Sequence, residues 1–359
     1  VRIAIDGREL IGRPTGVGRY LRELLTAWAD LPIAADHEFV LCAPEPIDQA
    51  PFGRLRASCL TSPGSGTLWE QRALPGLVAS AKADVLFSPA YTCPLWCAVP
   101  IVLVIHDVSF AAHPEWFPWR EGLRRRTLTR LGARRATRVI TESEFSKHEI
   151  VRLLGIPAPH IDVIYLGASA LHHAGNGDRP RSPLVLYVGS LFNRRHIPEL
   201  IEGFQRLSTR MPEARLEIVG DNRTNPPIDP DQLIVASGIS GRARWRSYLQ
   251  DGDLASLYGT ASAFAFLSDY EGFGLTPLEA MAAGIPVVVL DTPIAREIYG
   301  PAAVFLARAE PGRIADALER LLVQSDERAR FIDDGLKQVQ RYPWRECARL
   351  TLQVILAAR

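Results

Sequence analysis

Two alternating patterns run the length of the chain. Short apolar runs, Arg2–Asp6, Glu38–Ala43, Asp84–Ser88 and Pro100–Asp107, predict buried strands. Between them, apolar residues recur at helical spacing, as in Val17, Tyr20, Leu21, Leu24, Leu25 and Trp28 within Val17–Leu31. Leu171–Pro183 breaks the alternation with His172, His173, Gly175, Asn176, Gly177 and two prolines, which predicts a polar linker. Beyond it the pattern restarts with Leu184–Val188, the helix Ile197–Leu207 and the strand Arg215–Gly220. Trp245–Leu249 then leads to a helix at Leu254–Tyr258 and to two further strands, Ala263–Leu267 and Val287–Leu290. Helices follow at Glu310–Leu322, Glu327–Tyr342 and Trp344–Ala358, the last two separated by Pro343. Strand and helix in turn predict α/β architecture with parallel sheets. The domains fall at 1–172 and 184–343, joined by the linker 173–183.

The 359 residues suffice for two such domains. Composition is 47% hydrophobic and 23% charged, with net charge +1, so no global charge excess argues for nucleic acid. Five cysteines at these spacings suit neither a disulfide framework nor a structural zinc, and read as reduced and buried. Neither a signal peptide nor a run near the ~20 apolar residues of a spanning helix is visible, which predicts a cytoplasmic protein.

Charge is local. Arg120, Arg124, Arg125, Arg126, Arg130, Arg134, Arg135 and Arg138 face one acid, Glu121, across Pro114–Arg138. The segment reads as a helix with Leu123, Leu128 and Leu131 as its apolar stripe. Such a run is either a solvated face or a surface that draws anionic headgroups or an acidic acceptor, worth ~1 kcal/mol per basic residue near a charged membrane.

Candidate chemistry collects at strand ends, where ligands of open parallel sheets sit. The loop Gly7–Gly18 carries Gly16 and Gly18 before a helix. That can present backbone N–H groups to a phosphate or be a plain loop, since no full GxGxxG is present. His106 and Asp107 end the run from Pro100; His106 is placed for chemistry, or merely bonds the next loop. Arg194 and Arg195 follow the strand Leu184–Val188, where paired guanidiniums can grip a diphosphate. Thr276, Pro277 and Glu279 predict a helix start with a capping box, beside which the N–H groups of Phe273, Gly274 and Leu275 favour an anion. Glu279 is either that capping acid or a ligand group. Glu271, in the loop, caps nothing obvious. Asp251-Gly-Asp253 has metal-pair spacing but reads as a helix cap, so no metal site is expected and arginines take the metal's charge.

The stretch Glu271-Gly-Phe-Gly-Leu-Thr-Pro-Leu-Glu-Ala-Met-Ala-Ala-Gly284 closely resembles the EGFGLxxLEAMAxGxPVV signature of the retaining glycosyltransferases of family four. The resemblance extends to Thr15–Tyr20, Trp69–Pro75, the His106-Asp107 pair, Arg138–Lys147 and Thr292–Ala303, and it tilts toward the bacterial mannosyltransferase-like branch. It implies two Rossmann-like domains facing across a cleft (GT-B architecture), with the final helix, 344–359, crossing back onto the first. It implies that Glu271 contacts donor-sugar hydroxyls, Glu279 the ribose, Thr15–Tyr20 the diphosphate and His106 the sugar near its 6-hydroxyl. The family has Arg-Lys where this chain has Arg194-Arg195. The implied activity is retaining, metal-independent transfer of a hexosyl group, best read as mannose from GDP-mannose with a UDP-sugar as the other donor. The implied acceptor is a glycan or lipid-linked, with peripheral contact at the inner face of the membrane through the basic segment. No cofactor besides the nucleotide-sugar is expected. The rival readings are a nucleotide-sugar epimerase of the same architecture, a non-catalytic two-lobed sugar-binding protein, and, less well matched, a dehydrogenase or a pyridoxal-dependent phosphorylase.

Overall fold

The structure is a computed structural model; it describes residues 1–12, 16–168 and 182–359. Most of the linker 173–183, and Thr15 of the Thr15–Tyr20 segment, lie outside the described residues. The chain divides into two compact units, Val1–Gly167 with Tyr342–Arg359, and Ala168–Arg341. The boundaries therefore fall at 167 and 341, where the sequence places them at 172 and 343.

The first unit runs β1 (Arg2–Asp6), α1 (Gly16–Ala29), β2 (Glu38–Ala43), β3 (Ala57–Thr61), α2 (Gly66–Ser80), β4 (Val85–Ser88) and β5 (Ile101–Val104). It continues α3 (Ser109–Ala112), α4 (Trp119–Arg135), β6 (Arg138–Thr141), α5 (Glu144–Leu154) and β7 (Ile161–Val163). Its seven strands form a parallel sheet in the order β3-β2-β1-β4-β5-β6-β7. The central strands are apolar on both faces because helices cover both; Val85–Ser88 and Ile101–Val104 are buried throughout.

The second unit runs β8 (Leu184–Val188), α6 (Ile197–Arg210), β9 (Arg215–Val219), α7 (Pro230–Ala236), β10 (Ala243–Arg246), α8 (Asp251–Thr260) and β11 (Ala263–Phe266). Then come α9 (Leu275–Ala282), β12 (Val287–Leu290), α10 (Pro293–Tyr299), β13 (Ala303–Leu306), α11 (Pro311–Val323) and α12 (Ser325–Val339). Its sheet is also parallel, in the order β10-β9-β8-β11-β12-β13. The last helix, α13 (Trp344–Ala357), belongs to the first unit and packs on α1. Trp28 ties the two, its Nε1–H donating to the Ala348 carbonyl at 2.8 Å while its ring stacks on Phe39.

Several expectations need correcting. β3, β7, β13 and α7 carry weak patterns; β3 and β7 are edge strands, which need only one apolar face. Gly66, at the end of a Gly/Ser-rich stretch from Ser62 whose composition predicts a loop, opens α2, with Ser65 at the N-cap. Gly16 and Gly18 sit in the first turn of α1 rather than in a loop; Gly18 is buried. Arg138 opens β6 and forks onto Asp162 at 2.6 and 2.8 Å, so it is not part of the basic helix. Nor is the α4 stripe the leucines. α4 buries Gly122, Thr129, Gly132 and Ala133, small residues that let it approach the sheet, whereas Leu123 and Leu131 are 49% and 42% exposed. A Cβ on Gly132 would already stand 3.4 Å from Cys93 Sγ. The cysteines are all free, but only Cys42, Cys93 and Cys347 are buried; Cys59 and Cys97 are half-buried. Among the described residues, no helix is long and apolar enough to cross a membrane.

Candidate functional site

In the second unit β8 and β11 are neighbours from which the chain winds in opposite directions, β8 toward β9 and β11 toward β12. Loops leaving such a pair splay apart and open a crevice at the carboxyl ends of the strands. The loop after β8 carries Arg194, Arg195 and His196; the loop after β11 carries Ser268, Asp269, Tyr270 and Glu271.

These two loops are laced together. The Asp269 N–H donates to the Arg194 carbonyl at 3.0 Å, and Arg194 Nε donates to the Tyr270 carbonyl at 3.1 Å. Arg195 donates through Nε to Glu271 Oε1 at 2.8 Å, through Nη2 to Oε2 at 3.0 Å and through Nη1 to the Ser190 carbonyl at 2.8 Å. Ser268 Oγ donates to Glu271 Oε1 at 2.7 Å. The Arg195 guanidinium lies 4.8 Å from the centre of the Phe266 ring, and that of Arg194 lies 4.2 Å from the Phe192 ring. Burial works against the Arg195 charge, but Glu271 beside it overrides this and raises its pKa. The two residues assigned from sequence to different parts of a ligand, Glu271 and Arg195, are thus partners, and the Arg195 fork is directed at a carboxylate rather than left open. Next to them His196 sits in the left-handed region (φ 51°) as the N-cap of α6, held by Asp269 at 2.7 Å and Glu199 at 3.3 Å. Those two carboxylates raise its pKa to about 9.

The loop ends at α9. Its N-cap is Gly274 in the left-handed region (φ 90°), so Thr276 is not the cap and no capping box forms. A Cβ on Gly274 would fall 2.0 Å from Tyr299 Oη, which donates to the Gly274 carbonyl at 2.9 Å. Glycine is required there on both counts. The N–H groups of Gly274 and Leu275 still open the helix, where anions are favoured. Phe273 is buried, and Glu279, 2% exposed, takes a bond from Tyr258 Oη to its Oε2 at 3.4 Å. A cavity of about 10 Å3 under the loop, lined by Phe266, Ser268, Glu271, Phe273, Thr292 and Tyr299, has room for about one water.

In the first unit His106 follows β5 and is 8% exposed. Its Nε2 is 2.7 Å from the Pro89 carbonyl and its Nδ1 bonds the Glu142 carboxylate. At the end of β1, Asp6 is forked by Arg8, whose Nη2 is 2.6 Å from Asp6 Oδ2 and 3.3 Å from the buried Glu70 of α2. Sequence reasoning missed Asp6, Arg8, Glu70 and Glu142. The available signal was a charge directly following an apolar strand. It also missed Ser268, His196 and Asp269, which bracket residues it did choose. Among the described residues, no three His, Cys, Asp or Glu side chains gather as a metal site.

The exposed face of α4 mixes Arg120, Arg124, Arg126, Arg130 and Arg134 with Leu123, Leu131 and Trp119, the last 71% exposed. Trp96, in the loop before β5, is 79% exposed and lines a 490 Å3 groove with Pro75, Leu95, Cys97 and Arg135.

Comparison with known proteins places this geometry. Residues 170–338 match the glycosyl transferases group 1 and residues 14–170 match Glycosyltransferase Family 4. An O-antigen chain mannosyltransferase B of Escherichia coli is 30% identical over 70% of this chain and 68% of its own length. An MMP α-(1→4)-mannosyltransferase of Mycolicibacterium hassiacum is 27% identical over 71% of this chain and 64% of its own. Anabaena HepE, solved in complex with UDP and glucose, superposes with a TM-score of 0.76 at 18% identity over 99% of both chains. The chain belongs to the family-four, group 1 glycosyltransferases of the bacterial mannosyltransferase-like type, with the two α/β domains of the GT-B fold.

Proposed function

We propose that this glycosyltransferase moves a mannosyl group from GDP-mannose to a glycan or lipid-linked acceptor, with retention of anomeric configuration and without a metal or other cofactor. The observation that carries the reading is the lacing of Arg194, Arg195 and Glu271 at the switch point of the second sheet, beside the α9 N-terminus. Breaking a sugar–phosphate bond leaves positive charge at the anomeric carbon and negative charge on the departing diphosphate. Two guanidiniums and a helix N-terminus, fixed in advance, lower that barrier where charge develops. In this reading Arg195 holds Glu271 so that its carboxylate meets sugar hydroxyls, and Arg194 with the Gly274 and Leu275 N–H groups takes the phosphates. Gly16 and Gly18 at the start of α1 bear on the diphosphate, Glu279 on the ribose and His106 on the sugar. The departing phosphate accepts the acceptor proton on the face it leaves, which gives retention.

Mannose is favoured by the activity of the two mannosyltransferase relatives; the neighbour solved with UDP and glucose makes a UDP-sugar the second donor to try. The partner of the first unit is proposed to be an anionic lipid surface. The exposed Trp119, Leu123, Leu131 and Trp96 supply apolar insertion and the α4 arginines supply charge.

The test is thermal shift with GDP-mannose, UDP-glucose and dTDP-glucose, followed by sugar release with and without an added mannosyl acceptor. Stabilisation by GDP-mannose and acceptor-dependent release support the reading. Acceptor-independent conversion of a UDP-sugar supports the epimerase instead, and binding of free sugar with no turnover supports a binding protein.

A further inference from the structure

One buried carboxylate near the proposed chemistry has no role in it so far. β5 and β6 are neighbours in the first sheet, so the residues that follow them, His106 and Glu142, lie side by side. Glu142 is 5% exposed, and its Oε1 meets His106 Nδ1. The other ring nitrogen, Nε2, faces the Pro89 carbonyl at 2.7 Å. A carbonyl oxygen accepts and cannot donate, and the same holds for an ionised carboxylate. The Pro89 carbonyl therefore requires a hydrogen on Nε2, and the Nδ1–Glu142 contact requires one proton between them; with that proton on Nδ1 the ring carries a hydrogen on each nitrogen. Tyr20 of α1 and Tyr91 of the β4–β5 loop pack against the ring at steep angles, 85° and 61°, with centroids 5.3 Å away. Asp107 beside it accepts from Tyr91 Oη at 3.1 Å and from the Ser109 N–H at 2.7 Å. From α13, the Cys347 thiol feels the Glu142 charge, which with burial raises its pKa. Arg125 of α4 acts on Tyr91. Burial pulls the His106 pKa down, and Glu142, the Pro89 bond and Asp107 outweigh it and raise it.

We propose that Glu142 is a positioning residue that keeps both ring nitrogens of His106 protonated, so that His106 serves the transfer as a fixed positive charge and not as a base. The proposal rests on the reading that His106 bears on the transferred sugar. With Nε2 held by the Pro89 carbonyl and Nδ1 by Glu142, neither nitrogen offers a lone pair to take a proton from a sugar hydroxyl. The proton lost by the acceptor has to go elsewhere, which agrees with its transfer to the departing phosphate.

The test is imidazole nitrogen NMR on the full chain, with the His106 signals assigned by His106→Gln. In the wild type both nitrogens should remain protonated at pH 7.5. In Glu142→Gln, where the amide can donate to Nδ1, the ring should be neutral at pH 7.5 and regain its proton below about pH 6. Glu142→Asp, which keeps the charge, should restore the doubly protonated ring. The pH profile of kcat gives a second readout. The wild type should fall less between pH 6 and 8 than Glu142→Gln, which should lose about tenfold by pH 8 and recover below pH 6. A neutral wild-type ring at pH 7.5, or a doubly protonated ring in Glu142→Gln, overturns the proposal. So do parallel pH profiles. The wild-type spectrum decides even if the variants fail to fold. If the wild type turns over no nucleotide-sugar, the transferase reading fails while the ring's protonation is still read directly.

Discussion

Arg195 grips Glu271 at two points, Nε on Oε1 at 2.8 Å and Nη2 on Oε2 at 3.0 Å, with side chains 11% and 15% exposed. Removing one partner of so buried a pair leaves a charge with little solvent to turn to. Arg195→Ala should therefore cost about 3 kcal/mol of stability, measured by urea unfolding. It should also lower kcat about 100-fold while changing donor affinity less than tenfold, because Glu271 loses the fork that fixes its carboxylate for the reacting sugar. Arg195→Lys keeps charge without the fork and should retain kcat within about tenfold. An Arg195→Ala enzyme with full turnover and only weaker donor binding would remove Arg195 from the chemistry.

His196 makes stability depend on pH. Its folded pKa of about 9 lies above the usual value of 6.5, so the contribution is complete below about pH 6.5 and fades as pH rises through 9. The side chain is 24% exposed, so solvent reduces the effect to about 1–2 kcal/mol. Between pH 6.5 and 9.5 the wild type should lose that much more unfolding free energy than Asp269→Asn. Equal losses would mean that the pair contributes nothing.

Gly274→Ala meets two obstacles, a φ of 90° and the Tyr299 hydroxyl 2.0 Å from the new methyl. It should lose roughly 2–3 kcal/mol of stability and at least tenfold in donor affinity, by thermal unfolding and calorimetry. Tyr299→Phe removes only the hydroxyl bond, about 1 kcal/mol, and in that background Gly274→Ala should cost less than it does alone.

The proposed lipid surface predicts binding to vesicles rich in phosphatidylglycerol and not to phosphatidylcholine, read by co-sedimentation at low and high salt. Exchanging Arg120, Arg124 and Arg130 for Gln should weaken it by roughly 3 kcal/mol at low salt. Trp119→Ser should weaken it without altering its salt dependence. Binding indifferent to vesicle charge would make α4 a solvated face.

The central strands and the long helices were legible because each carries a pattern its burial demands. Val287–Leu290 cannot sit in water, and Tyr20, Leu21, Leu24, Leu25 and Trp28 make a single apolar stripe. Edge strands such as Ala57–Thr61 were not, because half their surface is free to be polar. The cap of α9 was misread because Thr276 and Glu279 have the spacing of a capping box, whereas the Tyr299 contact that demands Gly274 comes from 25 residues further on. The same holds for Glu142: nothing local to Glu142-Ser143-Glu144 says that a histidine from the adjacent strand end will face it. Residue types at the site were readable from motif; their pairing needed the order of strands.

The placement of α13 bears on how the molecule comes into being. It shields Trp28 and the α1 face of the unit that starts at Val1, yet the ribosome delivers it only after the whole of Ala168–Arg341. The unit translated second can close its own sheet at once, while the one translated first waits with an uncovered apolar flank until Trp344–Ala357 emerges.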